Sequence, residues 1–143
     1  MLKRRKFSKT ERDFITVRAH GCCEYCKILH DFSPDTFAIE HIISLFEGGT
    51  NELINLAFSC GGCNSRKGLK IMAIDPISGD TIYLFNPRTD KWKEHFQWTD
   101  NFSTVKGSTS QGRATVELLQ LNRKGLINLR KALLAYGVHP VEN

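Results

Sequence analysis

The sequence predicts an α+β domain, and three features predict it. Short apolar runs of strand length, "TFAIEHII", "INLAFSC" and "TIYLF", alternate with turn-forming residues through the first part of the chain. From Thr109 onward the apolar period becomes helical. Four of the five cysteines fall into two C-x-x-C pairs, Cys23/Cys26 and Cys60/Cys63. A length of 143 residues, 41% of them hydrophobic, suits a single domain with a real core, spanning 1–143.

Along the chain, residues 1–6 form a basic tail, whose "KRRK" reads either as a segment that tracks phosphates or as a disordered solubilising tail. "SKTERDFITVRAHG" reads as a helix that Ser8 or Thr10 caps, with Phe14, Ile15 and Val17 as a partial apolar face and Gly21 as its stop. "HDFSPD" is turn-like, "TFAIEHII" a strand, and "LFEGGTNEL" a loop, because Gly48, Gly49 and Asn51 break any regular pattern. "INLAFSC" is a second strand and "NSRKGLKIM" a short helix. "DPISGD" and "NPRTD" are turns around the strand "TIYLF". "WKEHFQW" alternates, which predicts a strand with Trp92, Glu94, Phe96 and Trp98 on one face, and "STVKG" is a further short strand. Thr109 or Ser110 caps a helix bearing Val116, Leu118, Leu119 and Leu121. Asn122 caps a second, bearing Leu126, Leu129, Leu133 and Leu134, which Gly137 ends.

The net charge of +5 and a pI near 9.0 favour a polyanionic partner such as nucleic acid. No apolar run approaches the roughly 18 residues of a membrane span. "MLKRRKFSKT" is basic but lacks the apolar stretch of a secretory signal. The expectation is a soluble cytoplasmic protein that avoids membranes, and in that compartment thiols stay reduced.

Each C-x-x-C turn aims two sulfurs at one point, and two such turns make the closed tetrahedral site of structural zinc. Cys23, Cys26, Cys60 and Cys63 are therefore the expected zinc ligands, with residues 27–59 folded between the pairs. The bland alternative is four unrelated buried cysteines. Cys22 is left over as a buried or free thiol, or as a substitute ligand for Cys23. A closed four-thiolate zinc has no open position and activates no water, so any catalysis must come from other residues.

Glu40 and His41 stand inside the apolar run "FAIEHII", where a carboxylate and an imidazole are costly unless paired or bound. Glu40-His41, Gly48-Gly49, Asn55-Leu56, Cys60 to Cys63, Asn64 and Lys67-Gly68 follow one another in the order and spacing that resemble the HNH endonuclease motif, of bacterial or phage type. The resemblance covers about residues 18–70, which would be the core of the domain. The part from about 75 to 138 is similar to the C-terminal extension of a bacterial subgroup. The resemblance implies a ββα-metal core stapled by the four-cysteine zinc, with an additional β-hairpin and C-terminal helices around it. It implies cleavage of phosphodiester bonds in DNA, expected to be double-stranded. His41 would be the general base, Asn55 would orient it, and Glu40 and Asn64 would bind a catalytic Mg²⁺, Mn²⁺ or other divalent ion. Three positions depart from the commonest pattern: Glu40 stands for aspartate, Ser44 for proline and Asn64 for the last histidine.

The residue types suit that chemistry independently. A histidine is a competent base near neutral pH. A carboxylate and an amide carbonyl are oxygen ligands of the kind hard cations prefer. Arg66 and Lys67, on the helix after Asn64, are placed to meet DNA phosphates. Against this stands a zinc-stabilised nucleic-acid-binding module that does not cut, and, further off, a thiol redox protein. The chain could act as a monomer or a homodimer.

Overall fold

The computed structural model describes residues 2–141. Helix α1 (Lys9–Arg18) starts at Ser8, whose hydroxyl accepts from the Glu11 amide while Glu11 reaches back to the Ser8 amide, a full capping box. Ile15 is its buried contact. Phe14 and Val17 are exposed, so the apolar face is narrower than predicted. His20 and Gly21 both take positive φ and reverse the chain into the first cysteine pair.

Strands β1 (Phe37–His41) and β2 (Leu56–Cys60) pair antiparallel, with Glu40 opposite Ala57 and His41 opposite Leu56. β2 is buried along its whole length. Leu56 and Phe58 pack with Ile15 and Ala19 in a small apolar cluster that Phe7 joins. Helix α2 (Gly61–Lys67) follows β2 without a gap, and Cys60 caps it by accepting from the Cys63 amide through Sγ. β1, β2 and α2 are thus a consecutive ββα unit.

β3 (Met72–Ile74) and β4 (Thr81–Tyr83) form a second antiparallel pair. The turn between them is organised by Asp75. Its carboxylate accepts from the Ile77 and Ser78 amides and from Arg113 at 2.9 and 2.8 Å. The alternating "WKEHFQW" divides. Trp92–His95 is a single helical turn, α3, and the strand β5 begins only at Phe96 and runs to Thr99. The Trp92 indole donates to the Tyr25 carbonyl at 3.0 Å, and this tertiary bond overrides the alternation. β5 pairs with β6 (Thr104–Gly107). Two further hairpins therefore join the core where the sequence suggested one.

Thr109 caps α4 (Ser110–Leu119). α5 (Lys124–Tyr136) stops at Gly137 in the left-handed conformation, as predicted. Its start differs. Asn122 does not cap it, because its amide clasps the N–H and C=O of Val105 at 2.7 and 2.8 Å, and Arg123 takes the cap position. The main apolar cluster draws Cys23, Tyr25, Cys26, Ile28, Cys60 and Cys63 together with Phe85, Phe96, Leu119, Leu126 and Leu133. The cysteine-bearing segment and the C-terminal helices thus share one core. Among the described residues no helix is long and apolar enough to cross a membrane.

Candidate metal centre and active site

The two C-x-x-C turns meet under the ββα unit. The sulfurs of Cys23, Cys26, Cys60 and Cys63 lie within 4.8 Å of one another, all buried, and the Cys26–Cys60 separation is 3.7 Å. A tetrahedron with Zn–S bonds of about 2.3 Å has edges of about 3.8 Å, so the cluster fits zinc as it stands. Arg123 supplies an outer layer. Its guanidinium donates to Cys60 Sγ at 3.5 Å and to Cys63 Sγ at 3.7 and 3.8 Å. The approach is possible because residue 62 is glycine: a Cβ there would stand 2.4 Å from Arg123 Nη2. A cation beside two thiolates offsets part of the charge that four sulfurs bring to one ion. Hydrogen bonds from Cys23, Cys26 and Cys63 pull the Cys60 thiol far down, while burial holds Cys26 up. Cys22 stands apart, its Sγ against the His20 carbonyl, and burial pushes its thiol up to about 11.

Glu40, His41 and Asn64 line a single open cavity of about 680 Å³, together with Ser44, Leu45, Phe46 and Leu69 and with Lys3 and Arg4 from the start of the chain. His41 is the last residue of β1, so strict alternation ends with it, and it borders the same cavity as its neighbour Glu40.

The two ring nitrogens of His41 have different partners. Nε2 faces Asn51 Oδ1 at 2.8 Å, and the Asn51 amide nitrogen donates to the Lys3 carbonyl at 2.9 Å, which fixes the amide's orientation. An amide oxygen only accepts, so the His41 proton sits on Nε2 and Nδ1 carries the accepting lone pair. Nδ1 points at Arg4 Nη1, 3.3 Å away. The residue against His41 is therefore Asn51. Asn55, expected in that place, spends its amide on the backbone of the loop instead. It accepts from the Ile43 amide at 2.9 Å and donates to the carbonyls of Ile43 and Thr50 at 2.9 and 2.8 Å. Gly49 closes the same clamp. A Cβ there would lie 1.8 Å from the Ile43 carbonyl oxygen, while Gly48 takes the left-handed turn at φ 91°. The Gly-Gly loop and Asn55 together hold the end of β1 where His41 sits.

Glu40 is buried beneath the cavity. One carboxylate oxygen accepts from the Tyr25 hydroxyl, and the other faces Lys67 Nζ at 3.2 Å. Burial pushes the Glu40 carboxyl up, with Lys67 and Tyr25 pulling against it. Lys67, expected on a DNA phosphate, is itself only 1% exposed, and its ammonium also donates to the His41 and Ile42 carbonyls at 3.2 and 2.8 Å. It is committed to the interior. Arg66 is exposed, and its guanidinium turns back to the Gly62 carbonyl at 3.1 Å.

Tyr25, Asn51, Arg4 and Arg123 escaped the sequence reading of this centre. Tyr25 is masked between two cysteines, and Asn51 reads as an ordinary loop residue. Arg4 lies in the basic run "KRRK", which reads equally as a phosphate-tracking segment and as a solubilising tail, and nothing in it singles out one residue.

Residues 23–70 match the HNH endonuclease family. The matched segment opens on Cys23 and closes two residues after Gly68, so it contains all four cysteines together with Glu40, His41, Asn55 and Asn64. No curated protein and no solved structure matches the chain. The cavity described above is thus built by the HNH segment, with a lip added by residues that precede it.

Proposed function

We propose that the chain is a divalent-metal-dependent DNA endonuclease whose centre is the cavity around His41. The observation that carries this reading is a histidine held in one tautomer by Asn51, its acceptor Nδ1 covered only by a long 3.3 Å contact to Arg4, at a cavity that Glu40 and Asn64 also line. In hydrolysis of a phosphodiester, a water oxygen attacks phosphorus, one P–O ester bond breaks, and the water's proton has to go to a base. His41 Nδ1 is that base, and the Nε2–H bond to Asn51 stabilises the imidazolium that forms. The leaving oxygen takes its proton from solvent. Glu40 and Asn64 offer the oxygen donors that would hold Mg²⁺ or Mn²⁺. A bound cation would neutralise charge developing on the phosphate and on the leaving oxygen.

One observation favours a second reading, a zinc-stabilised module that binds nucleic acid without cutting it. The Glu40 carboxylate already has an ammonium beside it, and a cation must compete with Lys67 for that charge. Nicking of supercoiled plasmid by zinc-loaded protein with Mg²⁺ or Mn²⁺ separates the two. The nuclease reading expects His41→Ala to cut about 10²–10⁴-fold more slowly, the usual worth of a positioned base. It expects Asn51→Ala to cut about 10–100-fold more slowly through misorientation alone, with ¹⁵N NMR showing a mixture of His41 tautomers. Equal cutting by all three proteins would remove His41 from the chemistry. Binding by all three without cutting would establish the module.

A further inference from the structure

Phosphodiester chemistry at this cavity needs a cation near the phosphate, and the lysine expected to supply it is committed elsewhere. Lys67 is enclosed with Glu40 and two carbonyls. Of the residues lining the cavity, the cationic ones are Lys3 and Arg4, both from the segment that precedes α1.

That segment is anchored at several points. Arg5 makes a two-pronged bond to Glu11 at 3.0 and 2.7 Å and reaches the Asn51 carbonyl at 3.3 Å. The Lys3 carbonyl receives the Asn51 amide. Phe7 packs into the apolar cluster of α1 and β2, and the guanidinium groups of Arg4 and Arg5 lie over its ring at 5.5 and 4.7 Å. Arg4 Nη2 donates to the Ile39 carbonyl at 2.8 Å. This bond fixes the guanidinium beside the end of β1, with Nη1 against His41 Nδ1.

We infer that Arg4 is a phosphate-binding residue of the centre, holding a non-bridging oxygen of the DNA phosphodiester beside His41. The inference rests on the nuclease reading for the identity of the phosphate as the scissile one. Arg4 is exposed and lines the cavity, and two of its five N–H donors reach protein partners, so three remain for a ligand. The contact to His41 is long at 3.3 Å, whereas the contact to Ile39 is short. A phosphate oxygen can therefore take Nη1 while Nη2 keeps the arginine in place, and this frees Nδ1 for water. A guanidinium matches two phosphate oxygens in a way an ammonium does not.

The test uses full-length zinc-loaded wild type, Arg4→Ala and Arg4→Lys, with two readouts. With no Mg²⁺ or Mn²⁺ added and no chelator present, binding to a 20-base-pair duplex is measured across a salt series. Loss of one phosphate contact lowers the slope of log K against log salt by about one in Arg4→Ala. With Mg²⁺ or Mn²⁺, single-turnover nicking by Arg4→Ala is expected to fall about 10²–10³-fold, the scale of one lost charge-stabilising donor. Arg4→Lys should recover only part of that, and added guanidinium ion should partly rescue Arg4→Ala. An unchanged slope with unchanged nicking overturns the inference. Faster nicking by Arg4→Ala also overturns it and makes the arm a cover over His41. If the slope falls but wild type does not cut, the phosphate contact stands and the nuclease reading fails. If wild type does not bind the duplex, both fail.

Discussion

Across β1 and α2 a carboxylate and an ammonium, both almost wholly removed from water, face each other at 3.2 Å. Each is tolerable only because of the other and of the hydrogen bonds from Tyr25 and to the carbonyls of His41 and Ile42. Removing one partner strands the other. Lys67→Met is expected to cost about 3–5 kcal/mol in urea unfolding of the zinc-loaded protein, because Glu40 must then bury its charge alone or take up a proton. Glu40→Gln with Lys67→Met removes both charges and should be clearly more stable than the single variant. A single variant as stable as wild type would mean that the pair is solvated and open, and Glu40 would then be free for a metal without competition. At the same scale, Asn55 is a structural residue of the loop, and its position in the motif is explained by three backbone hydrogen bonds rather than by contact with His41.

At the scale of elements, α1 and the segment before it act as one unit. Glu11 serves two roles, closing the capping box with Ser8 and holding Arg5. The Arg5 guanidinium and then the Ser8 amide draw the Glu11 carboxyl from its ordinary 4.5 down to about 2. A folded-state pKa below the unfolded one favours the folded state above the unfolded pKa. The contribution is therefore intact above about pH 4.5, and it is lost as pH falls from there towards 2. The carboxyl carbon of Glu11, followed by NMR, should titrate near 2 in wild type and move up towards 4.5 in Arg5→Ala. The amides of residues 3–7 should shift with the same midpoint if the segment leaves the cavity when Glu11 is neutralised. A Glu11 midpoint that ignores Arg5→Ala would show that the segment is held by Phe7 and Asn51 alone.

For the whole molecule, the four cysteines are the junction between the HNH segment and the C-terminal helices. Arg123 contacts two of the sulfurs, the buried Arg130 donates to the Cys26 carbonyl at 3.1 Å, and Trp92 donates to Tyr25 within the first pair. Zinc bound to the folded state alone stabilises it by about 4 kcal/mol at a free concentration a thousand times Kd. For a chain of this length that is a rise of roughly 10 °C in Tm. Chelation should release one zinc per chain and lower Tm by that order. The fluorescence of Trp92 and Trp98, both in the C-terminal part, should change in step with release. Zinc loss that leaves the tryptophan signal unmoved would mean that the C-terminal helices fold independently of the metal.

The sequence alone determined the features that local chemistry dictates. The spacing of the cysteines names four thiolates that can share an ion, and the structure brings the four sulfurs together. Ser8, Thr109 and Gly137 mark helix ends because capping is a matter of a few neighbouring residues. The α+β class follows from periodicity, and the order of Glu40, His41, Asn55 and Asn64 leads to the HNH family, which the match over residues 23–70 bears out. Tertiary structure decided which polar group meets which. Whether Asn51 or Asn55 faces His41 depends on how the Gly48-Gly49 loop folds back. Whether Lys67 reaches water depends on which side of α2 lies over Glu40. Arg4 and Arg123 stand far along the chain from the groups they touch, so no local pattern pairs them with His41 or with the cysteines. Hydrogen bonds and ion pairs act over about 3 Å in space whatever the separation in sequence, and only the folded chain sets those distances.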